Sequence, residues 1–310
     1  MAGDHDTKIY TVDKAYHGER LDKFLAIKFP RISRTRLQKC LKLGGIQFHG
    51  RTAKANDKVL TGDDVAINFS VFDAGQPPKV RVTLDIIYED EHLVAVHKPA
   101  GMVVHPVAKF RVNTLLDALQ DKYGASFTGH FANRLDQFTS GIVLLAKDTA
   151  TREHLQVQFE RGGVEKEYRL FVEGRFEAAR DVIDAPIAKA HEEKHLIAME
   201  VQPGGKPSVT EVERLKVFER FSYLVARPKT GRQHQIRVHL AHLGHPVLCD
   251  PRYGRPNALR NSRGEVVLDR CALHSAKMLI THPATEKKLE IVAPLPDDFV
   301  QVLSSFQEII

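Results

Sequence analysis

Asn133-Arg134-Leu135-Asp136-Gln137-Phe138-Thr139-Ser140-Gly141-Ile142-Val143-Leu144-Leu145-Ala146-Lys147 is the stretch on which the fold turns. The apolar run after Gly141 is short and closes on the charged pair Lys147-Asp148, so it reads as a strand buried on both faces. Just ahead of it, Asp136 sits between Arg134 and a Thr-Ser-Gly turn. Two readings are open from these residues alone. Asp136 either turns the chain into the strand, as Asp often does, or is a working acid on a loop braced by a stiff element.

Composition sets the outer limits. A chain of 310 residues is long enough for two domains, and 43% hydrophobic with 27% charged residues excludes a disordered protein. The formal charge of +6 favours a polyanionic partner. Three scattered cysteines, Cys40, Cys249 and Cys271, make neither a disulfide framework nor a thiolate cage. The polar start lacks a basic-then-apolar leader, and no apolar run approaches the ~18 residues of a membrane span. A reducing, cytoplasmic protein without a membrane partner is therefore expected.

Working outward toward the start of the chain, residues 1–13 read as a flexible tail. Leu21, Phe24 and Leu25 then share a helical face that Pro30 ends, and Ser33 caps a second helix running to Gly44-Gly45. On that second helix Leu37, Cys40 and Leu41 make an apolar stripe. Arg36, Lys39 and Lys42 give it a charged side of one sign, led in by Arg31 and Arg34, which calls for an anionic partner such as nucleic-acid phosphates. Short strands at Ile46–Phe48 and Asp64–Ile67 complete a small unit, residues 14–72. A link with one glycine and two prolines, Gly75, Pro77 and Pro78, follows at 73–83.

From residue 84 to 310 strands outnumber helices and do not alternate with them. The expected class is α+β, a large mixed or antiparallel sheet preceded by a small α+β domain. Tyr168 falls in a strand. A helix is expected over Arg232–Leu243, with Ile236, Leu240 and Leu243 inward and Arg232, Gln235 and His239 on a polar face.

The small unit resembles the S-four-type RNA-binding module through Arg20-Leu21-Asp22-Lys23-Phe24-Leu25, Ser33-Arg34-Thr35-Arg36-Leu37-Gln38-Lys39 and Gly62-Asp63-Asp64-Val65. The larger part resembles the RluA-type pseudouridine synthases. The matching stretches are His97-Lys98-Pro99-Ala100-Gly101, Arg134-Leu135-Asp136 with Thr139-Ser140-Gly141, Lys166-Glu167-Tyr168, Thr230-Gly231-Arg232-Gln233-His234-Gln235-Ile236-Arg237, and Asp250-Pro251-Arg252-Tyr253-Gly254. That resemblance implies conversion of uridine to its C-glycoside in structured RNA, without cofactor or metal. The substrate is expected to be large-subunit ribosomal RNA, with transfer RNA as the alternative, and the enzyme a monomer. It assigns Asp136 as the catalytic carboxylate, Tyr168 as the ring that stacks on the uracil, Arg232 as the partner of Asp136, and Arg134 as the residue entering the RNA. The chain departs from the family at Asn133, where His is usual, and at Gln137-Phe138, where a Lys-Asp pair is usual. A non-catalytic RNA-binding or ribosome-assembly protein on the same scaffold is the rival reading.

His191-Glu192-Glu193-Lys194-His195 matches a zinc-protease pattern, but the flanking prolines and the alternating Ile197, Met199 and Val201 favour a hairpin over the helix that chemistry needs. His239, His242 and His245 near Cys249 suit RNA or solvent better than a metal.

Overall fold

The computed structural model describes residues 7–29, 32, 34–72, 82–106, 112–190 and 198–307. Arg31, Ser33, the link at 73–81, and His191 with His195 lie outside the described residues, as do the side chains of Arg34 and Arg36. The chain divides into two units, residues 1–78 and 79–310.

The small unit packs α1 (Leu21–Lys28) and α2 (Arg34–Lys42) on a sheet of β1 (Thr7–Thr11), β2 (Ile46–Phe48), β3 (Arg51–Thr52) and β4 (Asp64–Asn68), ordered β1-β4-β2-β3. Leu21, Phe24, Leu25, Leu37, Cys40 and Leu41 from the two helices form its core with Ile46, Val65 and Ile67. Lys39 and Lys42 stand exposed on the other side of α2. The flexible tail expected over 1–13 needs correction: Thr7–Thr11 pairs residue for residue with Asp64–Asn68. Its polarity misled because β1 is an edge strand exposed along nearly its whole length.

In the large unit, β5 (Asp85–Glu89) and β6 (Leu93–Lys98) form a hairpin, followed by α3 (Leu115–Tyr123). Then come β7 (His130–Phe131), β8 (Ser140–Ala146), α4 (Thr149–Glu160) and β9 (Glu165–Glu173). Next are β10 (Arg180–Asp184), β11 (Ile187–Lys189), β12 (Met199–Val201), β13 (Val209–Val217), β14 (Phe221–Pro228) and α5 (Gln235–His242). The unit ends with β15 (Leu259–Arg260), β16 (Val266–Leu268), β17 (Leu273–Thr281), β18 (Lys288–Val292) and α6 (Asp297–Ser305). The expected hairpin around Met199 is present as the antiparallel pair β11–β12.

Ten of these strands form one mixed sheet, ordered β10-β13-β14-β9-β17-β8-β6-β5, with β18 beside β17 and β7 beside β8. Among the described residues its one parallel pair is β8 with β17, at Ser140 and Gly141. β8 is the expected doubly buried strand, with Ile142 to Ala146 wholly shielded. Each such aliphatic side chain contributes about 1.5–3 kcal/mol by leaving water. Gly141 is required where it stands: its φ is +112, and an added Cβ would lie 2.1 Å from the Ser275 carbonyl oxygen. The registers put Gly141, Ser275, Tyr168 and Ala226 in one row across the sheet. The loop ahead of β8 and the middle of β9 therefore reach the same end of the sheet.

Candidate active site

The loop between β7 and β8 carries Asp136, and it is tied down on both sides. Lys98, at the end of β6, is fully buried and donates to three carbonyls, Pro99 at 2.8 Å, Met102 at 2.8 Å and Gln137 at 3.2 Å. Burial pushes its ammonium down to about 7, the Asp136 charge opposing and Arg270 assisting. Gly101 N–H donates to the Gln137 carbonyl at 2.8 Å, and Gln137 Nε2 returns a bond to Gly101 O at 3.1 Å. On the far side Arg270, clamped in two bonds on Asp298, reaches the Phe138 carbonyl. Asn133 takes the place of a strand neighbour on β8: its Nδ2 donates to Ile142 O at 3.0 Å and its Oδ1 accepts from Leu144 N at 2.8 Å. Two of the family departures, Asn133 and Gln137, thus act as structural ties within the loop. Phe138 is solvent-exposed.

Asp136 is held by the helix that follows β14. Arg237 Nη1 donates to its Oδ2 at 2.7 Å, and His234 Nε2 lies 3.7 Å from its Oδ1. This corrects the expected partner. Arg232 is exposed and its Nε bonds the Pro207 carbonyl at 3.2 Å. The reason is where the helix starts: α5 begins at Gln235, because Gln235 Oε1 accepts from Arg232 N–H and Thr230 Oγ1 and caps the turn. Arg232 is left outside the helix, and Arg237, within its first turn, points inward. Arg237 is only 9% exposed and is neutralised from behind by Asp250, wholly buried, through Nε and Nη2 at 2.7 Å each. Burial alone would lower the arginine, but the two carboxylates more than reverse it. Asp250 is held below its usual value by Arg237 against the opposing effect of burial.

The expected polar face of α5 is buried too. Gln235 donates to Val209 O and Thr210 Oγ1, while His239 bridges Thr210 Oγ1 and the Ala185 carbonyl at 2.9 Å each. Leu243, expected inward, is instead 37% exposed just past the helix end. The helix lies on β12, β13 and β14, so hydrogen bonding as well as apolar burial sets which side faces in.

Asp136, Tyr168, Arg134, Arg232, His234 and Arg237 all line one open cleft of about 1190 Å³. That exceeds the roughly 300–1,000 Å³ of small-ligand pockets, leaving room for a nucleotide and its chain neighbours. Among the described lining residues Asp136 is the one carboxylate, whereas Arg134, Arg152, Lys166, Arg232 and Arg237 are cationic. Tyr168 is partly buried; burial raises its hydroxyl to about 12, with Asp136 adding and Ser275 opposing, so it stays protonated at neutral pH. His234 and His105 are both pushed down by burial. No group of three His, Cys, Asp or Glu among the described residues is placed to hold a metal ion. No described helix is long and apolar enough to cross a membrane.

Sequence reasoning missed Lys98, His234, Arg237, Asp250, Tyr253 and Arg270. Arg237 had a legible signal: an arginine flanked by Ile236 and Val238 near a helix start needs a buried acid, and Asp250 follows shortly.

A family model described as RNA pseudouridylate synthase matches residues 92–242. The chain is 33% identical over 300 residues to Ribosomal large subunit pseudouridine synthase D of Haemophilus influenzae, covering 94% of this chain and 92% of that protein. It is 34% identical over 309 residues to Ribosomal large subunit pseudouridine synthase C of Vibrio cholerae, covering 96% of each. The solved structure of human RNA Pseudouridylate Synthase Domain Containing 1 superposes with a TM-score of 0.60 at 24% identity, over 75% of this chain and 91% of that one. That last likeness is one of fold.

Proposed function

The chain belongs to the RNA pseudouridylate synthases, among the RluA-type ribosomal large-subunit enzymes, and from that premise we propose that it isomerises uridine to pseudouridine at a defined position in large-subunit ribosomal RNA. The observation that carries the proposal is Asp136, the single carboxylate among the described residues of a cationic cleft, held on Arg237. In the reaction the bond from the ribose C1′ to uracil N1 breaks, the base turns, and C1′ bonds to C5. The proton lost from C5 is balanced by one gained at N1. Nothing is oxidised and no group leaves, so the reading requires neither cofactor nor metal.

The residues suit those steps. The adjacent arginine, Arg237, donates to the carboxylate and aims it. The target base must leave its stack, and the Tyr168 ring offers a surface to receive it. Arg134, exposed at the cleft, is proposed to enter the space vacated in the RNA. Hydrolysis by paired carboxylates would need a second acid opposite Asp136, and the described lining has none. Neither the site nor the relatives favour a non-catalytic scaffold. Lys39 and Lys42, with Arg34 and Arg36 by the sequence pattern, are proposed to contact RNA phosphates, with the enzyme acting as a cytoplasmic monomer.

The test is tritium release from uridine-labelled ribosomal RNA. Asp136→Asn is isosteric but can be neither nucleophile nor base, so it should bind RNA and release no tritium. EDTA should leave the parent rate unchanged. Substantial turnover by the variant would remove Asp136 from its role.

A further inference from the structure

Behind the Asp136 carboxylate lies a second layer that ends on one short turn, Asp250 to Tyr253. Asp250 Oδ1 accepts from the backbone N–H groups of Arg252 at 2.9 Å and Tyr253 at 3.3 Å, which fixes the turn. From this turn two side chains lead back to Asp136. One is Asp250 itself, through the two-bond clamp on Arg237. The other is Tyr253, whose hydroxyl lies 2.7 Å from His234 Nδ1 and whose ring sits 5.0 Å from the Arg237 guanidinium carbon.

The hydrogen-bond inventory sets the direction of the second path. The Tyr253 oxygen accepts the Met199 N–H at 3.0 Å. Its own proton then needs an acceptor, and His234 Nδ1 is there. Nδ1 as acceptor leaves the proton of the neutral ring on Nε2, the nitrogen facing Asp136. The opposite tautomer would give the phenol oxygen two donors and leave the phenolic proton without its partner. Burial, assisted by Arg237 and Arg252, disfavours the doubly protonated ring, against the opposing charges of Asp136 and Asp250. His234 also holds a left-handed backbone at φ +56, a conformation that costs energy in a non-glycine residue and clusters at functional sites.

We propose that Asp250 and Tyr253 are positioning residues for the Asp136 carboxylate, Asp250 acting through Arg237 and Tyr253 acting through His234, whose imidazole is fixed as the Nε2–H tautomer. Neither touches substrate. Arg237 sets one carboxylate oxygen and His234 faces the other, so the pair defines the plane in which Asp136 meets the ribose. The 3.7 Å from His234 to Asp136 is long for a hydrogen bond, and contacts of this kind shorten when substrate fills a site. The inference rests on the synthase reading for its catalytic half only.

The test has two arms. Isotope-edited NMR of the imidazole nitrogens of the full-length protein should show His234 protonated on Nε2, and Tyr253→Phe should abolish that preference. Phenylalanine keeps the ring under Arg237 but leaves the Met199 N–H without its acceptor, so the amide spectrum of the variant is compared with the parent's to establish that it is folded. In single-turnover tritium release at saturating RNA, Tyr253→Phe should slow the step about tenfold and Asp250→Asn about a hundredfold, with RNA affinity unchanged, since small misplacements of a reacting group cost that much. A parent His234 protonated on Nδ1 overturns the relay whatever the reaction is. Parental rates in both variants, or losses confined to RNA affinity, overturn the positioning role. The tautomer is read without turnover, so an error in the reaction assignment would show instead as a parent protein that releases no tritium while its His234 stays protonated on Nε2.

Discussion

Replacing Arg237 by Gln probes the site and the scaffold together. In the parent, Arg237 satisfies a wholly buried Asp250 with two bonds of 2.7 Å and a cleft carboxylate with a third. Glutamine is too short to serve both and carries no charge, so Asp250 becomes a buried anion without a counter-ion. Breaking such a pair from one side costs about 3–5 kcal/mol. At about 2.1 cal/mol/K of unfolding entropy per residue, a unit spanning residues 79–310 should lose roughly 6–10 °C in Tm. Turnover should fall to background, since Asp136 loses its orienting partner. The double variant Arg237→Gln with Asp250→Asn removes the stranded charge and should recover most of the lost stability and none of the turnover. Arg232→Gln, at an exposed position, should stay within about 0.5 kcal/mol of the parent. Calorimetry and urea unfolding give the stabilities, and tritium release gives the rate. An Arg237→Gln protein that melts with the parent, or a double variant no more stable than the single, would refute the reasoning.

Three further outcomes are expected. Lys98 is lowered from 10.5 to about 7 in the fold, so between those pH values the unfolded chain holds the proton more firmly, and this group's stability contribution is fully present above 10.5 and lost as pH falls to about 7. Lys98→Met should therefore remove part of the rise in urea midpoint between pH 7.5 and roughly 9.5; an unchanged slope would place the lysine's titration elsewhere. Gly141→Ala drives a Cβ to within 2.1 Å of the Ser275 oxygen at φ +112 and should cost roughly 4 kcal/mol or more, seen as insoluble protein or a collapsed urea midpoint, and a midpoint near the parent's would contradict the packing. Lys39→Gln with Lys42→Gln should flatten the log–log salt dependence of RNA binding by about 0.7–0.9 per lost contact while leaving the modified uridine the same; an unaltered slope would make the basic face of α2 solvated surface only.

The parts of the fold legible in the sequence were those with burial on their side. Ile142 to Ala146 could be read because a strand shielded on both faces has nothing polar in it, and the Tyr168 strand because it lies beside the centre of the same sheet. β1 was not legible: an edge strand with exposed side chains looks like any polar segment, and only its backbone pairing with β4 defines it. The candidate site divides the same way. Asp136 and Tyr168 sit at the end of a sheet whose register is fixed by Gly141 and Ser275, so sequence position translated into spatial position. For α5 it did not, because a helix can begin at Arg232 or at Gln235 with the same apolar spacing, and three residues of offset turn one arginine out and another in.

What decided that offset was a polar inventory that periodicity ignores. Gln235 spends its carbonyl on the Arg232 N–H and Thr230 hydroxyl, and its amide on Val209 and Thr210 of β13. His239, one turn on, spends both ring nitrogens on Thr210 and Ala185. Turning this helix by one residue would strand all of these buried groups, each at about 1–3 kcal/mol, a sum larger than the gain from tucking Leu243 inward. The rotation is thus set by partners on β13 and the segment before β11, distant in sequence. Arg237 inherits its place from them: with Gln235 and His239 fixed against β13, its guanidinium must face the gap between Asp250 and Asp136. The arginine that meets the cleft carboxylate is chosen by the hydrogen bonds of two neighbours that never touch it.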